Sequence, residues 1–178
     1  MNKLLLLIPL LAACAPSVTS VTPETSASFG PFKQGQTWVI SSVSRTEPLI
    51  PVRTIFRIEK VFPDRHTVIG KSVLASERTP IQIEYTPEDK QLLVADISPI
   101  SFGATKIRTC FFDSAGADGT YQGVAAHFDP SQIKTDPEGF RTAYLTTHPK
   151  ASYQETAKAL VQTLASDDGG PCTLELVQ

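Results

Sequence analysis

The chain has 178 residues, 41% of them hydrophobic, with 16 Lys and Arg against 18 Asp and Glu and a formal charge of −2. This near-neutral balance excludes a nucleic-acid partner, which needs a concentrated basic surface, and a polybasic grip on anionic lipid. Fourteen prolines and ten glycines favour many turns over long helices.

The first element is a leader. Lys3 supplies a positive charge, Leu4 to Leu11 form a short apolar run, and Leu11-Ala12-Ala13-Cys14 closes it. That is the layout of a secretory signal ending in a small-residue cleavage site. The run is too short to span a bilayer, which takes ~20 apolar residues, and no later segment is long and apolar enough to do so. Leu11-Ala12-Ala13-Cys14 resembles the lipobox of bacterial lipoproteins: Leu, two small residues, then Cys. The resemblance implies cleavage before Cys14, diacylglycerol on the Cys14 sulfur and, in many bacteria, a further acyl chain such as palmitate on the new amine. Each buried methylene contributes ~0.8 kcal/mol, so two or three chains hold where one would exchange. Ala15 stands where enteric lipoproteins kept in the inner membrane carry Asp. The resemblance therefore points to the cell envelope, and to the outer membrane in an organism that has one, with the domain outside the cytoplasm.

Residues 1–13 thus read as a signal peptide and 14–29 as the acylated Cys14 with a disordered tether. Residues 30–178 read as a single β-rich domain of ordinary size. Losing residues 1–13 removes Lys3 and no acid, so the formal charge moves from −2 to −3. Ala15 to Ser28 is rich in Ser, Thr, Ala and Pro and has no apolar period, as a spacer does. Fully stretched it reaches ~50 Å.

Strand-like runs follow. Gly35–Ser44 is rich in β-branched residues around Trp38. In Val52–Phe62, Val52, Thr54, Phe56 and Ile58 alternate with Arg53, Arg57 and Glu59. Pro63-Asp64-Arg65-His66 reads as a turn into Thr67–Ala75. Ile81, Ile83 and Tyr85 alternate with Gln82, Glu84 and Thr86, the mark of a strand buried on one face. Pro87–Lys90 turns the chain into Gln91–Ile97. Thr105–Phe112 and Thr120–Phe128 flank a loop at 113–119. Gly123, Ala125 and Ala126 are small, so a neighbouring element is expected to press close. Phe140–Thr146 reads as strand or irregular.

Ser152–Ser166 is the one clear helix. Ser152-x-x-Glu155 is a capping box, and Tyr153, Ala157, Leu160, Val161 and Leu164 form one apolar stripe. Gly169-Gly170-Pro171 ends it, and Cys172–Val177 is a last strand. Short turns favour antiparallel neighbours. The prediction is a mainly β fold: an antiparallel meander barrel or sandwich of about eight strands, with one C-terminal amphipathic helix and a closing strand. The helix should cover one opening or one face. Cys110 and Cys172 are an even pair in an exported chain, hence a disulfide.

This order is similar to that of lipocalins: a Gly–Trp motif in the first strand, a meander barrel, a late helix and a short last strand. Gly35-Gln36-Thr37-Trp38 carries the resemblance, with two residues between Gly and Trp where lipocalins have one. It implies a β-barrel that holds an apolar ligand.

Catalytic and metal patterns are weak. His66, His127 and His148 fall in no metal-binding spacing. Asp113, Asp118 and Gly119 faintly suggest a calcium turn, but Ala115 and Ala117 stand where ligands belong, so a hairpin loop is expected. Ser131-Gln-Ile-Lys134 lacks its companion motifs and follows Asp129-Pro130, a turn signature. Glu88-Asp89 and Asp167-Asp168 read as solvated turn carboxylates. No catalytic residue, metal site or cofactor is predicted. Trp38, Phe56, Phe62, Tyr85, Phe111, Phe128 and Tyr144 read as core or as the lining of a ligand cavity. Arg53, Arg57, Lys106 and Arg108 read as solvated strand faces or a basic strip. The expected function is a membrane-anchored, non-enzymatic binding module for an apolar ligand or an envelope partner. The alternatives are a structural or assembly lipoprotein, or a hydrolase without a recognisable motif.

Overall fold

The structure, a computed structural model, describes residues 27–45, 51–74, 80–99, 105–128 and 137–177. A hairpin comes first, β1 (Ser28–Phe29) with β2 (Phe32–Lys33). The other eight strands are β3 (Thr37–Ser42), β4 (Val52–Phe62), β5 (Thr67–Ser72), β6 (Pro80–Thr86), β7 (Gln91–Pro99), β8 (Thr105–Ala115), β9 (Tyr121–Phe128) and β10 (Gly169–Leu176). They form one closed antiparallel barrel, in which β3 to β9 run as a meander and β10 fits between β9 and β3. The predicted meander barrel with a closing strand is the observed fold, and closure leaves the sheet no free edge.

The alternation read from sequence sets which way each side chain points. On β6, Ile81, Ile83 and Tyr85 are buried while Pro80 and Gln82 are exposed. Trp38, Ile40, Phe56, Ile58, Val68, Leu92, Val94, Phe112 and Leu174 complete an apolar lumen. Arg53, Arg57, Glu59 and Lys71 face outward. An apolar inside and a charged outside are opposite to a barrel that faces lipid with its outer wall.

The structure contains a second helix. Phe140–Thr146, read as strand or irregular, lies within α1 (Pro137–Thr147), which precedes α2 (Tyr153–Asp168). Thr and aromatic residues lower helix propensity. Here Thr142 and Thr146 donate hydroxyl bonds back to the carbonyls of Glu138 and Thr142, at 2.9 and 2.8 Å. Phe140, Tyr144 and His148 stack in a ladder, with centroids 5.8 and 4.3 Å apart, and α1 packs on α2.

The capping box of α2 is formed as predicted. The Ser152 hydroxyl accepts from the Glu155 N–H at 3.1 Å, and the Ser152 N–H donates to the Glu155 carboxylate at 2.6 Å. These bonds hold the Glu155 carboxyl below the usual range. The helix covers a face of the barrel, not an opening: Val161, Ala165 and Leu164 pack on Phe111, Ala126, Phe128 and Leu93. Ala126 is the small residue that admits it. Gly169-Gly170 ends the helix as predicted and opens β10 directly, with no loop between. Gly169 permits this, because a Cβ there would lie 2.4 Å from the Ala165 Cβ. The C-terminal end of α2 is pinned to the barrel. Ser44 Oγ and the Arg45 N–H donate to Asp168 at 2.7 and 3.0 Å, and the Arg45 guanidinium donates to the carbonyls of Ser166 and Ala165 at 2.9 and 3.2 Å.

Candidate functional site

The lumen has two unlike ends. At one end the β1–β2 hairpin fills the opening. Phe32 is fully buried, its ring 4.9 Å from Trp38 and 6.3 Å from Tyr85. Phe29, assigned by sequence to the end of the tether, packs edge-on against Tyr85 at 5.4 Å and stacks on His66 at 5.6 Å. Gly30 makes the turn with φ +57, and a Cβ there would lie 2.1 Å from the Tyr85 ring. Burying a Phe ring stabilises by roughly 1.5–3 kcal/mol, so the hairpin is a real part of the core.

The middle of the lumen holds the disulfide. Cys110 on β8 and Cys172 on β10 are joined, Cα to Cα 6.4 Å, and both are buried. The bridge passes over β9, since Cys110 registers with Ala125 and Cys172 with Gly123. This is the predicted pairing.

The other end is polar. Arg108 on β8 registers with Asp96 on β7 and His127 on β9, and all three are buried. The Arg108 guanidinium pairs with Asp96 and reaches across the lumen to the far wall. There it donates to Thr54 Oγ1 at 2.8 Å, the Val52 carbonyl at 2.8 Å and Ser42 Oγ at 3.3 Å. Thr54 in turn donates to Asp96 at 2.9 Å. Burial pushes the Arg108 pKa down, and the charge and hydrogen bond of Asp96 oppose that shift. Among the described residues, Asp96 Oδ1 and Arg108 Nε have no hydrogen-bond partner. Residues 46–50, 75–79, 100–104 and 129–136 lie outside the described residues.

Sequence reasoning read Arg108 as part of a solvated strand face or of a basic strip; the structure places it inside. It shares inward parity with Cys110 and Phe112, and that was the available signal. Arg57 stays on the outer wall, where its Nε donates to the Gly35 carbonyl at 3.1 Å beside the cleft formed by β4 and β5. The cleft, of about 540 Å³, is bridged by a Lys71–Glu59 ion pair at 2.9 Å. The Lys106 side chain lies outside the described ones.

The candidate aromatics separate. Trp38, Phe56 and Tyr85 are in the lumen, Phe111 and Phe128 lie under α2, Tyr144 is on α1, and Phe62 carries Arg65 over its ring at 5.7 Å. The three histidines do not meet: His66 is at the plugged end, His127 at the polar end and His148 beyond α1. Asp118 caps its own hairpin by accepting from the Thr120 N–H at 3.0 Å, and Asp113 pairs with Lys158 at 2.7 Å. The described residues contain no group of three or more His, Cys, Asp and Glu that could hold a metal. None of their helices is long and apolar enough to cross a membrane. Cys14, the leader, the tether to residue 26 and Ser131–Lys134 lie outside the described residues.

Comparison with protein-family models, with curated proteins and with solved structures finds no match to this chain.

Proposed function

We propose that this chain is an exported lipoprotein, held to a membrane of the cell envelope by lipid on Cys14, whose barrel is a non-enzymatic binding module. The observation that carries the reading is the fate of the cysteines. The chain has three, and Cys110 and Cys172 are consumed in a buried disulfide. A disulfide fits an oxidising compartment beyond the cytoplasm. Cys14 is then the one thiol left over, at the end of the lipobox-like run. A charged outer wall supports a water-facing domain that needs a separate anchor.

The lumen favours an apolar ligand over catalysis. Its walls are aliphatic and aromatic, and at its polar end the charges of Arg108 and Asp96 offset each other. Asp96 and Ser42 are both engaged by Arg108, an arrangement that fixes side chains and does not activate a nucleophile.

Membrane fractionation of cells tests the anchor. The parent protein is expected in the membrane pellet and the Cys14→Ser protein in the soluble fraction. Equal sedimentation of the two would remove the lipid from the account. Crosslinking in cells separates the two binding forms: a co-purified lipid supports an apolar ligand, and a stoichiometric protein neighbour supports an envelope partner.

A further inference from the structure

We propose that the β1–β2 hairpin is a displaceable plug, seated in a binding site for the end of a single apolar chain such as the acyl chain of a lipid or fatty acid. The proposal rests on the reading of the barrel as a binding module for an apolar ligand.

The hairpin differs from every wall strand. Each wall strand is bonded on both sides within the closed sheet, whereas β1 and β2 pair only with each other, Ser28 with Lys33 and Phe29 with Phe32. Their further backbone bond, Gln34 N–H to the Ala27 carbonyl at 2.9 Å, also stays within the hairpin. Among the described residues, its backbone bonds to the wall lie at its root, where the Gly35 N–H donates to the Ile58 carbonyl at 2.8 Å and the Ile58 N–H donates to the Gln36 carbonyl at 2.9 Å. Beyond the root it is held by the packing of Phe29 and Phe32. It can therefore swing out about Gly35 without breaking any barrel ladder. Among the described residues, Phe32 is the one buried member of the lumen core cluster that comes from outside the wall, and Phe29 packs against that cluster beside it.

What it would vacate defines the ligand. The seat is apolar, lined by Trp38 and Tyr85, whose rings lie 4.9 and 6.3 Å from that of Phe32. A seat that holds one aromatic ring in apolar surroundings suits one apolar chain rather than a charged group. Twelve residues separate the hairpin's first described residue, Ala27, from Cys14. A lipid on Cys14 would keep this end of the barrel within reach of acyl chains.

Trp38 supplies the test, since it is the only tryptophan and touches Phe32. Bromine on an acyl chain quenches tryptophan on contact. The mature acylated protein is placed on phosphatidylcholine vesicles, in one arm titrated with bromododecanoic acid and in the other made from phosphatidylcholine with brominated chains. These arms tell a free fatty acid from a membrane lipid. Gly30→Ala weakens the plug by driving a Cβ into Tyr85, and Phe32→Ala empties its seat. Saturable quenching in the parent, tightened about tenfold in Gly30→Ala because more of the protein is open, is the expected result. Quenching in Phe32→Ala with none in the parent or Gly30→Ala would overturn the plug, since only a cut hole was filled. Parent quenching that Gly30→Ala leaves unchanged would also overturn the plug but keep the apolar ligand. No quenching in any of the three, with melting temperature and disulfide retained, would overturn both.

Discussion

Arg108 and Asp96 face each other across one ladder position of β8 and β7, and both are buried inside the barrel. Through Thr54 the pair braces the far wall at β4. Removing one partner leaves an uncompensated buried charge, so Asp96→Ala is expected to cost about 3–5 kcal/mol. Replacing both with apolar residues of similar size, Asp96→Leu with Arg108→Met, is expected to cost far less than the sum of the single changes. Urea denaturation of the two single variants and the double variant measures this.

The Cys110–Cys172 bridge closes a loop of 62 positions and crosses β9. Constraining the unfolded chain over that length is worth about 4 kcal/mol. The Cys110→Ser, Cys172→Ser double variant is expected to lose stability of that order in denaturant melts. In the parent both sulfurs are buried, so reductant should act at a rate set by barrel opening, and mild denaturant should accelerate it.

Tyr153, although 59% exposed, makes a contribution to stability that is lost at alkaline pH. Partial desolvation of the phenol first, then the hydrogen bond its hydroxyl donates to Glu84 at 2.8 Å, push its pKa up to about 12. The raised pKa means that the fold favours the protonated phenol. The contribution is full below the unfolded pKa of about 10 and is lost as pH rises through about 12. The Tyr153→Phe protein is expected to be less stable than the parent at pH 8, with the difference shrinking towards pH 12. Thermal melts across that range follow it.

The ends of α2 carry separate, smaller terms. Ser152→Ala removes the N-cap and is expected to cost about 1 kcal/mol. Arg45→Ala removes a cation from the last carbonyls of the helix and is expected to cost about 0.3–1 kcal/mol. The two ends lie far apart on the helix, so the costs should add in a double variant, as melting temperatures will report.

Much of the barrel was legible because closure demands strict alternation. β4 and β6 were readable nearly to the residue, since one face of each must be apolar. The disulfide was legible from export and an even cysteine pair. Helix α1 was not, because its Thr and aromatic residues argue for a strand locally while packing on α2 decides otherwise. Pro137 at the first helical position and Glu138 in the first turn were the signals available. The polar end was missed for a different reason. A charged residue is read as solvated by default, and only the parity of Asp96 with Leu92 and Val94, and of Arg108 with Cys110, places both inside. The hairpin was invisible because Phe29 and Phe32 sit beside a Ser- and Thr-rich stretch with no strand period of its own.

Intact mass spectrometry of the protein purified from membranes addresses the anchor and the disulfide together. The expected mass is that of a chain beginning at Cys14 with diacylglycerol on its sulfur, with or without one further acyl chain on its amine, and two fewer hydrogens for the Cys110–Cys172 bond. A chain that begins elsewhere, or one that carries an unmodified Cys14 thiol, would contradict the central claim.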